Sequence, residues 1–319
     1  MDKTVKFRVE IESNGQKVLH SVTASTEELR KAIGDIPDVA QRATSSLSNM
    51  GSFALALNSS IEVVGRLQDV ISGIAQDFNA FDKGMRAVNT MAGESKEGLS
   101  LLTGQVEELA NTIPLAKEEL ASGLYQVISN GVPKDNWIAF LEQSSKSAVG
   151  GIADLGQTVT VTSTLIKNYG LEWSEAAALQ DKIQTTAKNG VTSFEQLAQA
   201  LPRVTGNAAT LGVSVDELMA SFATLTGVSG NTNEVSTQMA AIFTALVKPS
   251  SEAAEMAQAM GIQFDAAAIK AAGGFQSFLT NLDGTVKAYA AANGMIAEEI
   301  YGKLFGSAEA LRALIPLNG

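Results

Sequence analysis

The sequence predicts a mainly all-α chain: an array of short amphipathic helices, one long heptad-bearing helix and a small N-terminal β-hairpin. Three observations predict it. Glycine steps followed by hydroxyl-led helix starts recur along the second half of the chain. Apolar residues from Met50 to Val88 fall alternately three and four apart. Residues 3–23 instead alternate apolar with polar, the period of a strand.

The hairpin comes first and is assigned to residues 1–24. Val5, Phe7, Val9 and Ile11 alternate with polar residues, Asn14-Gly15 supplies a type I′ turn, and Val18, His20 and Val22 alternate again. A lone hairpin is marginal in water, so it is expected to lie on helices or to pair with a strand of another chain.

Residues 25–92 are assigned to a long helical, coiled-coil-like segment. Ser25-Thr26-Glu27-Glu28-Leu29 opens a short helix that stops near Gly34 and Pro37. The heptad series then gives the candidate self-association residues Phe53, Leu57, Val64, Leu67, Ile71, Ile74, Phe78, Phe81, Met85 and Val88, with Ser60 the one polar member. Val63 and Val70 at g and Ile61 at e widen the stripe beyond a two-stranded seam. A helix of that span is about 60 Å long and cannot bury such a face on itself. It is expected either to pack along the globular part or to join a parallel assembly of copies, a trimer rather than a hexamer. Gly51, Gly65, Gly73 and Gly84 weaken the helix, at about 1 kcal/mol each relative to alanine.

Residues 93–319 are assigned to a compact all-α domain. Leu99, Leu102, Val106, Leu109 and Ile113 mark one helix, ended by Pro114, and Leu120, Leu124, Val127 and Ile128 the next, stopped at Asn130-Gly131. A helix pair flanks Gly150-Gly151. Then Gly190-Val191-Thr192-Ser193-Phe194-Glu195 and Gly212-Val213-Ser214-Val215-Asp216-Glu217 each predict a glycine stop, an N-cap at Thr192 or Ser214, and an acid three residues on. Pro202 is expected to end or kink the first of these helices. The glycine steps at 131, 170, 190, 212 and 261 lie 39, 20, 22 and 49 residues apart, which reads as too irregular for a solenoid. Between 204 and 247 the only charges are Asp216, Glu217 and Glu234, so two helices there are either the domain centre or a subunit contact.

Composition narrows the function classes. With 45% apolar residues in 319, a sizeable core is affordable. A net charge of −11 and no basic stripe argue against binding a phosphate backbone, so no direct nucleic-acid contact is expected. The absence of cysteine excludes disulfides and thiolate chemistry. The longest uncharged run, Ala43 to Ile61, holds nine Ser, Thr or Asn residues and is a poor membrane span. His20 is the sole histidine and sits in a predicted strand, which leaves triads and zinc-peptidase motifs without a partner set. Glu107-Glu108, Glu118-Glu119 and Glu298-Glu299 are adjacent acids on helix starts or exposed faces, not carboxyls converging across a cleft. Trp137 and Trp173 read as packing residues. No catalytic, cofactor or metal residue is assigned.

The order of motifs over residues 80 to 315 resembles the phage tail tape measure family. Phe81-Asp82-Lys83-Gly84-Met85-Arg86-Ala87-Val88 is similar to that family's opening helix. Glu118-Glu119-Leu120-Ala121-Ser122-Gly123-Leu124-Tyr125, Leu165-Ile166-Lys167-Asn168-Tyr169-Gly170-Leu171, Leu197-Ala198-Gln199-Ala200-Leu201-Pro202-Arg203-Val204 and Leu211-Gly212-Val213-Ser214 follow in the family's order. So do Leu246-Val247-Lys248-Pro249-Ser250-Ser251-Glu252 and Met260-Gly261-Ile262-Gln263-Phe264. The resemblance implies a structural protein, not an enzyme, that sets tail length, templates tube polymerisation and leaves ahead of the DNA. It implies as partners further copies of itself, the tail tube protein, tail assembly chaperones and baseplate or distal tail proteins. It places the protein in the tail lumen of the virion, and in the host cytoplasm during assembly. Leu304-Phe305-Gly306 resembles a step after which the family's chains continue, so the sequence is expected to be truncated after 319 and to represent an end domain rather than the ruler. Two other classes stay open for an acidic helical chain, a cell-wall hydrolase fragment and a membrane-active helical toxin.

Overall fold

The computed structural model describes residues 4–13, 16–25 and 80–318. The chain divides into two units, Met1–Asp82 and Lys83–Gly319. In the first, β1 (Thr4–Ser13) pairs antiparallel with β2 (Gln16–Ser25), with Phe7 opposite Val22, Val9 opposite His20 and Ser13 opposite Gln16. The short helix expected after Ser25 and the heptad positions Phe53, Leu57, Val64, Leu67, Ile71, Ile74 and Phe78 lie outside the described residues.

In the second unit all regular structure among the described residues is helical. Helical residues 83–92 and α1 (Lys96–Thr112) precede a series of helix hairpins. These are α2 (Lys117–Ser129) with α3 (Trp137–Gly151), and α4 (Leu155–Tyr169) with α5 (Ala176–Asn189). The third joins α6 (Phe194–Ala200) and α7 (Thr205–Thr210) to α8 (Val215–Ser229), and α9 (Thr232–Val247) begins a fourth. The first helices of these hairpins start at intervals of 38, 39 and 38 residues, and the second helices at intervals of 39.

This periodicity corrects the expectation of an irregular array. The first helices stack on one another as one layer, α2 on α4 on α6 and α7 on α9, and the second helices as another, α3 on α5 on α8. Side chains tie neighbours of one layer at matching heights. In the first layer Lys167 Nζ donates to the Asn130 carbonyl (3.2 Å), Gln199 Nε2 to Gln157 Oε1 (3.2 Å) and Ser236 Oγ to the Ala200 carbonyl (3.1 Å). In the second, Gln180 Nε2 donates to Ser144 Oγ (3.1 Å) and Lys182 pairs with Asp216. Both layers are therefore parallel stacks, and the unit is a short α-solenoid. The glycine spacings misled because they mixed two kinds of helix end. Gly131, Gly170 and Gly212 close first-layer helices at φ of +75°, +63° and +73°, whereas Gly190 closes a second-layer helix in extended backbone (φ −105°, ψ −176°).

The first-layer stops share one local device. In each, the N–H of the apolar residue after the glycine donates five residues back, Val132 to Val127, Leu171 to Ile166 and Val213 to Ala208. Only glycine enters that left-handed position without a Cβ penalty, and the apolar residue beyond it is free to turn inward. Val132 and Val213 are buried. The prolines act as expected. α1 ends two residues before Pro114, and Pro202 lies in the 3-10 turn Leu201–Arg203 that divides α6 from α7.

Both ends of the stack are covered. Gly84 approaches α2 so closely that a Cβ there would lie 3.1 Å from Ala121 Cβ, and α1 packs on α2 and α3. At the other end come α10 (Ser251–Ala259), α11 (Ala266–Ala272), α12 (Phe275–Asn293), α13 (Ala297–Phe305) and α14 (Ala308–Asn318). The last of these packs on both α8 and α9, where a further second-layer helix would stand. The low-charge helices α8 and α9 are the domain centre. Leu218, Met219, Phe222, Leu225, Val235, Met239, Ile242, Phe243 and Leu246 are all buried, and Phe243 meets Phe275 edge to face at 5.3 Å. Each such side chain stabilises the fold by about 1.5–3 kcal/mol.

Candidate functional site

Three of the ten heptad positions fall among the described residues. Phe81, Met85 and Val88 are 3%, 2% and 0% exposed, and Met85 and Val88 follow within one turn of Gly84, which approaches α2 closely. These three side chains are buried within the single chain.

The predicted capping positions differ in register. Ser214 caps α8 as expected: its Oγ accepts from the Glu217 N–H (3.2 Å) while Glu217 Oε2 accepts from the Ser214 N–H (3.1 Å). At α6 the cap is Ser193, not Thr192. Ser193 Oγ accepts from the Gln196 N–H and Gln196 Oε1 from the Ser193 N–H, both at 3.1 Å. Thr192 is occupied elsewhere, its hydroxyl 2.6 Å from that of Thr232 in the next repeat.

Glu217 has a second task that its local sequence does not show. Its other oxygen, Oε1, accepts from the N–H groups of Phe275 (2.6 Å) and Gln276 (3.4 Å), the first residues of α12. Gly274 makes room, since a Cβ there would lie 2.5 Å from that oxygen. One carboxylate thus closes two helix N-termini, where the macrodipole favours negative charge. Its charge and, before it, burial raise the pKa of Tyr169, whose hydroxyl is buried without a hydrogen-bond partner.

The remaining polar groups serve packing. Trp137 Nε1 donates to the Val132 carbonyl (2.8 Å) and Trp173 meets Phe140 edge to face at 5.7 Å. The acid pairs are divided among local tasks: Glu107 pairs with Lys117, Glu299 with Lys303, and Glu118 and Glu119 stand in the first turn of α2. Tyr301 donates to Asp283 (2.7 Å), and burial followed by that bond raises the Tyr301 pKa. The hydrogen bond from Lys287 is the main cause that lowers the pKa of Asp283. Among the described residues no three His, Cys, Asp or Glu side chains gather as a metal site, and no helix is long and apolar enough to cross a membrane. The surface carries open grooves, one of 500 Å³ lined by the amides of Gln126, Gln157 and Gln199 with Asp154 and Arg203.

Residues 103–306 match the model of the family described as phage-related minor tail protein. The chain belongs to that family. Among its curated relatives is a "Probable tape measure protein" of Clostridium phage phiCD119, 24% identical over 226 residues, which are 66% of this chain and 24% of the relative. Another is a "Tape measure protein" of Pneumococcus phage Dp-1, 20% identical over 186 residues, 58% of this chain and 16% of the relative. The chain thus spans a quarter or less of the length of these minor tail relatives. No solved structure matches it.

Proposed function

We propose that this chain is the structural end domain of a tape measure protein, which helps to set tail length and template tube polymerisation and is ejected ahead of the DNA. The observation that supports it most is the match of residues 103–306 to a family whose curated relatives here are tape measure proteins. Its place is the tail lumen, after assembly in the host cytoplasm, with the tail tube protein, assembly chaperones and baseplate or distal tail proteins as partners. It catalyses nothing. Copies associate in parallel, as trimers, through the heptad residues from Phe53 to Phe78 on a long helix, while Phe81, Met85 and Val88 serve each copy's own core. The hairpins gather at one end of that bundle.

An end domain and a ruler respond differently to loss of one repeat. Residues 155–193 are one hairpin, and removing them joins α3 to α6 in the place of α4. If these residues measured length as extended helix, tails would shorten by roughly 58 Å at 1.5 Å per residue. In the proposed role, electron micrographs of phage carrying this deletion show tails of parental length at lower yield, or none. Uniformly shortened tails would refute the end-domain reading.

A further inference from the structure

Three helices end on the same dipeptide. Asn130-Gly131 follows α2, Asn189-Gly190 closes α5 and Asn293-Gly294 closes α12. Asparagine before glycine carries its own chemistry. The glycine nitrogen can attack the asparagine side-chain carbonyl, because no Cβ on the glycine stands in the way. The N–Cγ bond forms, the Cγ–Nδ2 bond breaks, and ammonia leaves with the proton of the glycine N–H. Water then opens the cyclic imide at either carbonyl. One opening gives aspartate. The other gives isoaspartate, whose main chain runs through the side-chain carbons and is one methylene longer.

The fold guards two of these steps and leaves the third open. At Asn130, Nδ2 donates to the Gln126 carbonyl (2.9 Å), the Gly131 N–H to that of Ile128 (2.9 Å) and the Val132 N–H to that of Val127 (3.3 Å). At Asn293, Nδ2 donates to the Tyr289 carbonyl (2.9 Å), and the N–H groups of Gly294 and Met295 both donate to that of Ala290. The amide that must turn and the nitrogen that must attack are thus held by three bonds at each of these ends. At the end of α5 only the Gly190 N–H is held, by the Thr186 carbonyl (2.9 Å). The exposed Asn189 side chain and the Val191 N–H make no hydrogen bond among the described residues. Local opening of α5 therefore breaks one bond where α2 and α12 break three. We propose that Asn189 is a site of spontaneous deamidation and isomerisation, the first of the three to convert, with water as its only co-reactant.

The site lies where a longer main chain does not fit. A Cβ at Gly190 would collide with the Thr226 hydroxyl and lie 3.1 Å from Ala223 Cα, both on α8. Isoaspartate at 189 shifts the backbone immediately before this contact, so the second and third hairpins lose their fit in the second layer. Its carboxylate also stands at the C-terminal end of α5, where the macrodipole disfavours negative charge. Aspartate at 189 adds the same charge but no methylene. The two products therefore act differently: aspartate leaves the stack closed, and isoaspartate loosens it between α5 and α8. The inference does not rest on the proposed function.

Peptide maps of the full chain, aged in mildly alkaline buffer, test it. One net hydrogen bond changes an opening equilibrium by about two- to tenfold, so two fewer bonds make conversion at Asn189 at least about fourfold faster than at Asn130 or Asn293. In urea those bonds are gone and the three sites convert alike. Equal rates in the folded chain, or the same preference in urea, would overturn the proposal. Chromatography separates the isoaspartyl peptide from the aspartyl one, and hydrogen exchange reads the consequence. The aged chain exchanges faster around Ala223 and Thr226, Asn189→Asp matches the fresh protein, and Asn189→Gln shows no change there on ageing. An aged chain rich in isoaspartate at 189 that exchanges like the fresh one would overturn the loosening of the stack.

Discussion

Replacing Glu217 tests the idea that one carboxylate closes two helices. In Glu217→Ala the N–H of Phe275 loses its acceptor in a partly buried place, and Ser214 loses half of its capping box. A hydrogen bond to a charged group contributes about 1.5–3 kcal/mol and a cap about 1 kcal/mol, so the expected loss is about 2.5–4 kcal/mol. For a helical unit of this size that lowers the thermal midpoint by roughly 5–16 °C. Glu217→Gln keeps one accepting oxygen for Phe275 and loses the charge and the bond from Ser214, so its cost is about half as large. Ser214→Ala costs about 1 kcal/mol, and the double variant Ser214→Ala, Glu217→Ala loses less than the sum because the box is shared. Urea unfolding followed by circular dichroism measures all four. A loss below about 0.5 kcal/mol for Glu217→Ala would refute the reasoning, because it would put water, not this side chain, on the N-terminus of α12.

Phe222→Ala and Phe243→Ala should each destabilise by about 3–5 kcal/mol in the same experiment, since both side chains are wholly buried. Variants that unfold like the parent but lose self-association would make α8 and α9 a subunit contact after all. Ser193→Ala should cost about 1 kcal/mol and speed amide exchange at Gln196, whereas Thr192→Val should leave that amide protected. Asp283, held below its ordinary value of 3.8, contributes stability that is present above that value and is lost as pH falls through its folded value. Asp283→Asn should therefore flatten the acid limb of the stability profile, and an unchanged limb would count against the Lys287 pairing. Tyr301 is shifted the other way, above 10.0, so the folded state holds its proton longer and stability declines as pH rises past 10.0. Tyr301→Phe should remove that decline, as read from unfolding midpoints in alkaline buffers.

The helices were legible wherever their signals are local. The Ser214 and Glu217 box, the Gly131 and Gly170 stops and the Pro202 break all act within six residues, and each lies where the sequence places it. Register at α6 was not legible, because Thr192 with Glu195 and Ser193 with Gln196 are overlapping copies of one capping signal. What separates them is Thr232, forty residues away, which takes the threonine hydroxyl. The contact of Glu217 with α12 spans 58 residues and leaves no mark on its surroundings in the chain. The repeat was hidden because its period belongs to each layer separately, and a list of glycines mixes the layers. A heptad stripe is equally apolar whether it meets a second copy or its own domain, so Phe81, Met85 and Val88 carried no sign of their burial within the chain.

The place of α14 beside α8 and α9 has a consequence in time. Each hairpin needs only the one before it, so the stack can form from its N-terminal end while the ribosome is still at work. The fourth hairpin breaks that order. Val247 ends α9, yet the helix that covers it begins at Ala308, some sixty residues later. At about 5–20 residues per second, the flank of α8 and α9 stays bare for roughly 3–12 s. For that interval the nascent chain offers its most apolar helices to anything nearby, and a cytosolic holdase, or the same edge of a sister chain on the next ribosome, would find it before α14 does.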